Sequence, residues 1–178
     1  MDAHAAKASR VPSTFVPSRA LLGGLVAGIV VLDQASKAAV RAMLALHDSI
    51  TLVPGFLNLI HVHNTGAAFG LLNGVDLPFK PMLMTAIAAA ALVAIGVFAM
   101  RTTASEPLAQ LGLALVIGGA VGNVIDRITA GYVIDFIDVY WASWHFWAFN
   151  VADSAITIGA ALLILDMGFL NRHVSTPV

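Results

Sequence analysis

The sequence predicts an all-α polytopic membrane protein with four transmembrane helices, because the chain is strongly apolar and poor in charge. Of its 178 residues, 59% are hydrophobic and 11% are charged, which is far from the average of soluble globular domains. A spanning helix needs about 20 mostly apolar residues. Four stretches approach that requirement, at about residues 20–40, 81–100, 107–126 and 151–170.

The first and last of these stretches contain charged residues. Asp33 and Lys37 interrupt the first, and Asp153 and Asp166 lie near the two ends of the last. A charged N-terminus followed by an apolar run also fits a cleavable signal peptide, but Asp33 breaks the run and no small-residue cleavage site follows it. We therefore expect the first helix to be retained.

Two connecting segments have strand character. Residues 48–79 contain the β-prone run 56–63, which is too short to span a membrane and predicts a small strand or hairpin module. Residues 132–139 are also β-prone, and an aromatic patch follows them. Aromatic side chains of this kind suit the membrane–water interface, and the patch comprises Trp141, Trp144, Phe146, Trp147 and Phe149.

Basic residues near the helix ends predict the orientation. With four spans, one side of the membrane carries Lys7, Arg10, Arg19, Arg101 and Arg172, and the other carries Lys37, Arg41, Lys80 and Arg127. The N-terminal cluster makes the first side cytoplasmic by the positive-inside rule. The chain then divides into a cytoplasmic tail over 1–19, one membrane domain over 20–170 and a cytoplasmic tail over 171–178.

Composition excludes several kinds of chemistry. The formal net charge is −1 and there is no basic block, so no nucleic-acid partner is expected. There are no cysteines, so thiolate nucleophiles and cysteine-ligated metals are excluded. His61 and His63 share one strand face, but without a third ligand they indicate a strand surface and no metal site. We expect no cofactor.

Polar residues inside or beside the apolar stretches converge on one membrane level, toward the outer side. A buried acid at bilayer depth costs at least about 2.5 kcal/mol and marks a functional site by default. Asp135 is the hardest to explain structurally, since it lies between Ile134 and Phe136 with no cation adjacent in sequence. The converging set is Asp33, Asn64, Asn123, Asp126, Asp135, Asn150 and Asp153.

Several of these residues also have a structural interpretation. The i,i+4 spacing of Asp33 and Lys37 favours a structural ion pair, and Asp126 with Arg127 suggests another. Asn150 with Asp153 resembles a capping box at the start of the last helix, and by position this interpretation and a catalytic one stay equally open.

Three further features have structural interpretations. Asp138 lies three residues after Asp135 and is expected to be a solvated loop acid. Close helix–helix contacts are expected at two glycine pairs, which are Gly24 with Gly28 and Gly118 with Gly122.

A pair of carboxyl groups is the chemistry that remains. Two carboxyls that share a site do not both ionise easily, so one stays protonated while the other acts as a base. An aspartyl hydrolase and a small proton-coupled transporter both use such a pair. The hydrolase is slightly favoured, because the acids gather at one surface and do not track across the bilayer.

Five ordered motifs occur between residue 20 and about residue 170. They are Asp33-Gln34-Ala35-Ser36-Lys37, Asn64-Thr65-Gly66-Ala67-Ala68-Phe69, the run from Gly118 to Arg127, Val133-Ile134-Asp135-Phe136, and Phe149-Asn150-Val151-Ala152-Asp153. In this order the motifs resemble those of the bacterial lipoprotein signal peptidases, or signal peptidase II. The resemblance implies an intramembrane aspartyl endopeptidase of the bacterial inner membrane that cleaves diacylglyceryl-modified prolipoproteins just before the lipidated cysteine.

The resemblance also implies a role for each site residue. Asp135 and Asp153 match the catalytic pair, and seven residues match those that support or line the site, namely Asp33, Lys37, Asn64, Asn123, Asp126, Arg127 and Asn150. It further implies a small extracytoplasmic β-cradle and sensitivity to globomycin. We expect the aromatic patch to form a short periplasmic segment, and the protein to be a monomer whose partners are prolipoproteins and membrane lipid. Neither a metal nor a cofactor is implied.

Overall fold

A computed structural model of the chain describes residues 16–66, 77–103 and 106–167. Within these ranges, helices and strands follow one another in an order that matches the predicted spans and strand segments. The elements are α1 (Arg19–Met43), β1 (Ser49–Val53), β2 (Leu57–Asn64), α2 (Lys80–Ala99), α3 (Pro107–Ala130), β3 (Val133–Trp141), β4 (Trp144–His145) and α4 (Val151–Leu165).

Three of the helices are long and apolar enough to cross a membrane. They are α1 with 25 residues, α2 with 20 and α3 with 24. The fourth helix, α4, is apolar and is described over 15 residues, Val151–Leu165. Residues 168–170 of the predicted fourth span lie outside the described residues. By length and composition, the three long helices are candidate membrane spans at three of the four predicted positions.

Local capping explains where the helices begin and end. The Ser18 side chain accepts a hydrogen bond of 3.1 Å from the backbone N–H of Leu21 and so caps α1. Pro81 and Pro107 lie in the first turns of α2 and α3, where no backbone N–H donor is needed. Gly131 ends α3 in the left-handed region with φ +80°, which glycine adopts without strain.

Helix α3 is the central helix, and it packs on α1, α2 and α4. A Cβ added at Gly118 would lie 3.0 Å from Cβ of Ile29, and one at Gly122 would lie 2.5 Å from Oδ2 of Asp33. These two glycines therefore let α1 approach closely, as predicted. The prediction for Gly24 and Gly28 was wrong, since a Cβ at either position has no described atom within 4 Å. Both residues lie on an exposed face of α1.

The four strands form one antiparallel sheet in the order β1-β2-β3-β4. The pairing of β2 with β3 joins the two segments that had strand character in the sequence. Its register places Val62 opposite Asp135 and Asn64 opposite Val133. A bulge between Leu59 and Val62 shifts this register. The pairing brings Asn64, at the end of β2, beside Asp135 on β3.

Asp138 is not the solvated acid that its position suggested. It is 6% exposed, and its carboxylate accepts a hydrogen bond of 2.9 Å from Nδ2 of Asn58. Nδ1 of His145 lies 2.9 Å from the other carboxylate oxygen. The prediction failed because Asp138 lies in a paired strand, where β2 and β4 both cover it.

The two histidines of β2 share a face as predicted, with ring centroids 5.3 Å apart. The expectation that they lie on a strand surface was wrong for His61, which is 7% exposed. Nδ1 of His61 lies 3.0 Å from the carbonyl oxygen of Leu44, directly after α1. Contact between β2 and the end of α1 therefore buries this position.

Candidate active site

Asp135 is a buried acid on β3, with 2% of its surface exposed. Its Oδ1 accepts a hydrogen bond of 2.7 Å from Nδ2 of Asn150, and its Oδ2 accepts one of 3.0 Å from Nδ2 of Asn64. Burial raises the pKa of Asp135 to about 7, and the nearby negative charge of Asp153 adds to this effect. Asp135 therefore takes up and releases a proton close to neutral pH.

Asp153 is positioned by the start of α4. Its backbone N–H donates to Oδ1 of Asn150 at 2.9 Å, and its own Oδ2 accepts from the backbone N–H of Asn150 at 3.3 Å. This is the capping box that the sequence predicted. The remaining oxygen of Asp153 accepts a hydrogen bond of 2.8 Å from Nδ2 of Asn123.

Asn150 connects the two acids and is fully buried, with 0% exposure. Its side-chain oxygen caps α4 at Asp153, and its side-chain nitrogen donates to Asp135. Structural and functional interpretations of Asn150 were equally open from sequence. They turn out to be compatible, because different atoms of the same amide cap the helix and contact Asp135.

A buried ion cluster lies behind this pair. Nζ of Lys37, which is 1% exposed, lies 2.8 Å from Oδ2 of Asp33 and 2.8 Å from Oδ2 of Asp126. It also donates to Oδ1 of Asn123 at 3.0 Å. The predicted Asp33–Lys37 pair is confirmed. Since Lys37 holds the oxygen of the Asn123 amide, the nitrogen of that amide faces Asp153.

The predicted pair of Asp126 with Arg127 does not form. Asp126 pairs with Lys37 and lies 4.0 Å from the half-exposed Arg41. The guanidinium of Arg127 donates to the carbonyl oxygens of Asn123 at 3.2 Å and Gly66 at 3.1 Å. The prediction failed because consecutive residues of a helix point in directions about 100° apart.

Asp33 and Asp126 also hold the backbone of the site. Oδ1 of Asp33 accepts a hydrogen bond of 3.0 Å from the backbone N–H of Ala152 in α4. Oδ2 of Asp126 accepts one of 3.4 Å from the backbone N–H of Ile134 in β3. The ion cluster thus contacts the two segments that carry Asp153 and Asp135.

Sequence reasoning missed Gln34 as a member of the site. Its Nε2 lies 3.0 Å from Oδ1 of Asp126, 3.2 Å from the carbonyl oxygen of Gly122 and 3.2 Å from Oδ2 of Asp33. An amide directly after Asp33, in the middle of an apolar helix, was the available signal. Arg41 was also missed as a site cation, although it lies one helical turn after Lys37.

The structure brings all nine predicted site residues into one hydrogen-bonded assembly. Among the described residues, no group of three or more histidines and acids is arranged as metal ligands. The assembly contains two carboxyl groups that both contact Asn150, those of Asp135 and Asp153, and the pKa of Asp135 is raised to about 7. Such a pair can hold one proton between a base and an acid, which is the arrangement needed to activate water.

The family model described as signal peptidase (SPase) II matches residues 25–169 of the chain. The chain belongs to the signal peptidase II family. Membership makes it an aspartic peptidase, a hydrolase that acts on peptide bonds, and gives no support to the alternative of a proton-coupled transporter.

Individual relatives agree with this assignment. The lipoprotein signal peptidase of Maridesulfovibrio salexigens is 44% identical over 146 residues, covering 82% of this chain and 94% of that protein. The lipoprotein signal peptidase of Geobacter metallireducens is 45% identical over 138 residues, covering 78% of this chain and 84% of that protein. A solved structure described as a bacterial membrane enzyme matches with a TM-score of 0.78 and 29% identity, covering 92% and 97% of the two chains.

Proposed function

We propose that this signal peptidase II cleaves the signal peptide from diacylglyceryl-modified prolipoproteins, just before the lipidated cysteine, with Asp135 and Asp153 as its catalytic pair. The observation that carries the proposal is that one residue, Asn150, contacts both carboxyls. Its side chain donates to the carboxylate of Asp135, and its backbone N–H donates to the carboxylate of Asp153. Family relatives named lipoprotein signal peptidase support the substrate class.

The proposed reaction needs one proton shared by the pair. One carboxylate removes a proton from a water molecule, whose oxygen attacks the carbonyl carbon of the scissile bond. The other carboxyl, protonated at the start, donates a hydrogen bond to the oxyanion that forms. The C–N bond then breaks as a proton passes to the leaving nitrogen, and the pair returns to its singly protonated state.

The supporting residues act through position. Asn123 and Asn64 each donate to one acid of the pair, which fixes the direction of its lone pairs. Lys37 holds the Asn123 amide in place. Arg127 ties the backbone after β2 to α3 through Gly66 and Asn123. Removing any of these residues would misplace the acids without removing them.

We further propose that α1 to α4 are four spans of the bacterial inner membrane, with the sheet and the catalytic pair on the extracytoplasmic side. Arg19 and Arg101 lie at the helix ends away from the sheet, which supports a cytoplasmic position for those ends. The tails 1–19 and 171–178, which flank a single membrane domain in the sequence, would then both be cytoplasmic. The enzyme would act as a monomer.

Cleavage of a defined substrate by the purified protein tests the proposal. We expect a diacylglyceryl-modified prolipoprotein to be cut before its modified cysteine, and its unmodified precursor to be cut far more slowly. Chelators should leave the rate unchanged, and globomycin should inhibit it. Equal rates on the two forms would instead indicate a general signal peptidase.

A further inference from the structure

A cavity of about 450 Å³ lies beside Asp153, between the aromatic segment 146–149 and α4. Phe146 makes edge contacts with Trp147 and Phe149, at ring-centroid distances of 5.7 and 5.9 Å. The backbone of Phe149 is fixed to β3, since its N–H donates to Ile137 and its carbonyl oxygen accepts from Phe136. One wall of the cavity is therefore aromatic and anchored to the sheet that carries Asp135.

The opposite wall is the outward face of α4, at Ser154, Thr157 and Ile158. Ser154 donates its hydroxyl to the carbonyl oxygen of Asn150 at 2.9 Å, and Thr157 donates to that of Asp153 at 2.8 Å. Both hydroxyl protons are thus already used within the helix. Thr157 and Ile158 are exposed, so the cavity opens along the side of an apolar helix, where lipid would lie.

The cavity is polar at one end and apolar along its length. Its polar end is formed by Asn64 and Asp153, and both of these side chains belong to the proposed site. The rest of its described side-chain lining is aromatic or aliphatic, apart from the two hydroxyls that donate to α4.

This polarity distinguishes two kinds of occupant. An inserted peptide segment would bring backbone N–H and C=O groups, and leaving such groups unpaired in an apolar environment costs several kcal/mol. A hydrocarbon chain has no polar groups to satisfy. It gains apolar contacts along the whole cavity, whose volume falls within the ordinary range of ligand sites.

We propose that this cavity binds one acyl chain of the substrate, entering from the lipid side of α4 with its attached end at Asp153. The inference rests on the proposed function, in which the lipidated cysteine adjoins the scissile bond. It assigns the lipid chain to a defined subsite, so the bound chain holds the bond at the depth of the acids.

Filling the cavity from either wall tests the subsite. We expect Thr157→Trp and Ala148→Leu each to lower kcat/KM for a long-chain diacylglyceryl substrate by about tenfold or more, since hydrophobic pockets discriminate small volume changes by such factors. A short-chain substrate should lose about twofold or less. Ile164→Trp is the matched control, because Ile164 is 69% exposed on α4 and does not line the cavity.

The decisive quantity is the ratio of the long-chain rate to the short-chain rate, which does not depend on how much of a variant has folded. A lower ratio in both cavity variants and a normal ratio in Ile164→Trp supports the subsite. An unchanged ratio in both cavity variants overturns it, even if absolute rates fall. Failure of the unaltered enzyme to cut either lipidated substrate would instead overturn the proposed function.

Discussion

At the scale of single residues, the two proposed catalytic acids lie in different settings. Asp135 lies in a strand with no salt-bridge partner among the described residues, and two side-chain amides are its donors. Asp153 lies in the first turn of a helix, where the helix dipole favours negative charge. The two carboxyl groups thus have different surroundings. Such a difference allows one carboxyl to hold the proton while the other is ionised.

Replacement of either acid tests whether the two form a unit. We expect Asp135→Asn and Asp153→Asn each to lower the cleavage rate at least about a thousandfold, because one titrating carboxyl is lost while the side-chain volume is kept. The double variant should be scarcely slower than either single one. The readout is the rate of signal-peptide release from a lipidated precursor.

Asp48→Asn is the control for these variants, since Asp48 is exposed in the turn before β1 and should not affect cleavage. Near-normal turnover by either acid variant, with membrane insertion verified, would rule out an aspartyl mechanism based on this pair.

The pH profile reports the proton that the pair shares. Because the pKa of Asp135 is raised to about 7, this carboxyl is protonated below that pH and ionised above it. If activity needs the proton, kcat falls as pH rises through about 7. This fall is the alkaline limb of the profile of kcat against pH, and its apparent pKa belongs to the coupled pair of acids and not to one residue alone.

Asn64 gives a way to move that limb. Its hydrogen bond stabilises the ionised form of Asp135 and so lowers the pKa of that carboxyl. Asn64→Leu removes the donor at similar volume, so the alkaline limb should move up by about one pH unit, as expected for a charge-assisted hydrogen bond. Thr51→Val at the exposed sheet edge should leave the limb in place. A downward shift in Asn64→Leu would contradict this assignment.

The sequence was sufficient to predict which residues form the assembly. It was not sufficient to predict all of their ion-pair and hydrogen-bond partners. Burying an acid or an amide in an apolar segment costs free energy, so its presence there indicates a site. This holds for Asp33 as well as for Asp135. Which cation each acid meets depends on the rotation and depth of neighbouring helices. The sequence therefore paired Asp126 with the adjacent Arg127, whereas the structure pairs it with Lys37 from α1.

At the scale of elements, the close contact of α1 with α3 depends on glycine. Gly122→Ala would place a methyl group 2.5 Å from Oδ2 of Asp33, next to the Lys37 ion pair. We expect this change to lower the free energy of unfolding by about 1–3 kcal/mol, as overpacking usually does, and to reduce cleavage.

Gly24→Ala is the matched change on the exposed face of α1, where the added methyl group meets open space. It should leave stability unchanged or raise it by up to about 1 kcal/mol through better helix propensity. Thermal unfolding in detergent measures both variants. An equal effect of the two substitutions would contradict the close contact at Gly122.

The elements themselves were more predictable than their pairing. Apolar length gives α1, α2 and α3, and β-prone runs give β2 and β3. The sheet register was not predictable, because the two strands are separated by two whole helices in the chain and alternation alone fixes no partner. For the same reason, the burial of Asp138 by β2 and β4 was not foreseen.

At the scale of the whole molecule, the distribution of basic residues predicts a membrane topology that fusion reporters can test. Reporter proteins fused after Thr102 and after Val178 should be active in the cytoplasm. A reporter fused after Ala142, in the exposed turn between β3 and β4, should be active only outside it. A cytoplasmic result at Ala142 would place the acids on the wrong side for the proposed function.

The hydrogen bond from Asn150 to Asp135 also has a consequence for the stage of synthesis at which the site is complete. Ribosomes deliver a chain from its N-terminus at about 5–20 residues per second, and Asp135 is made before either Asn150 or Asp153. Until α4 docks, Asp135 lacks its Asn150 donor and the second acid. If Asp135 and Asp153 are the catalytic pair, as we propose, a chain whose synthesis has not reached α4 has no peptidase activity. Other nascent peptides in the membrane would then meet an active enzyme only after its last helix has docked.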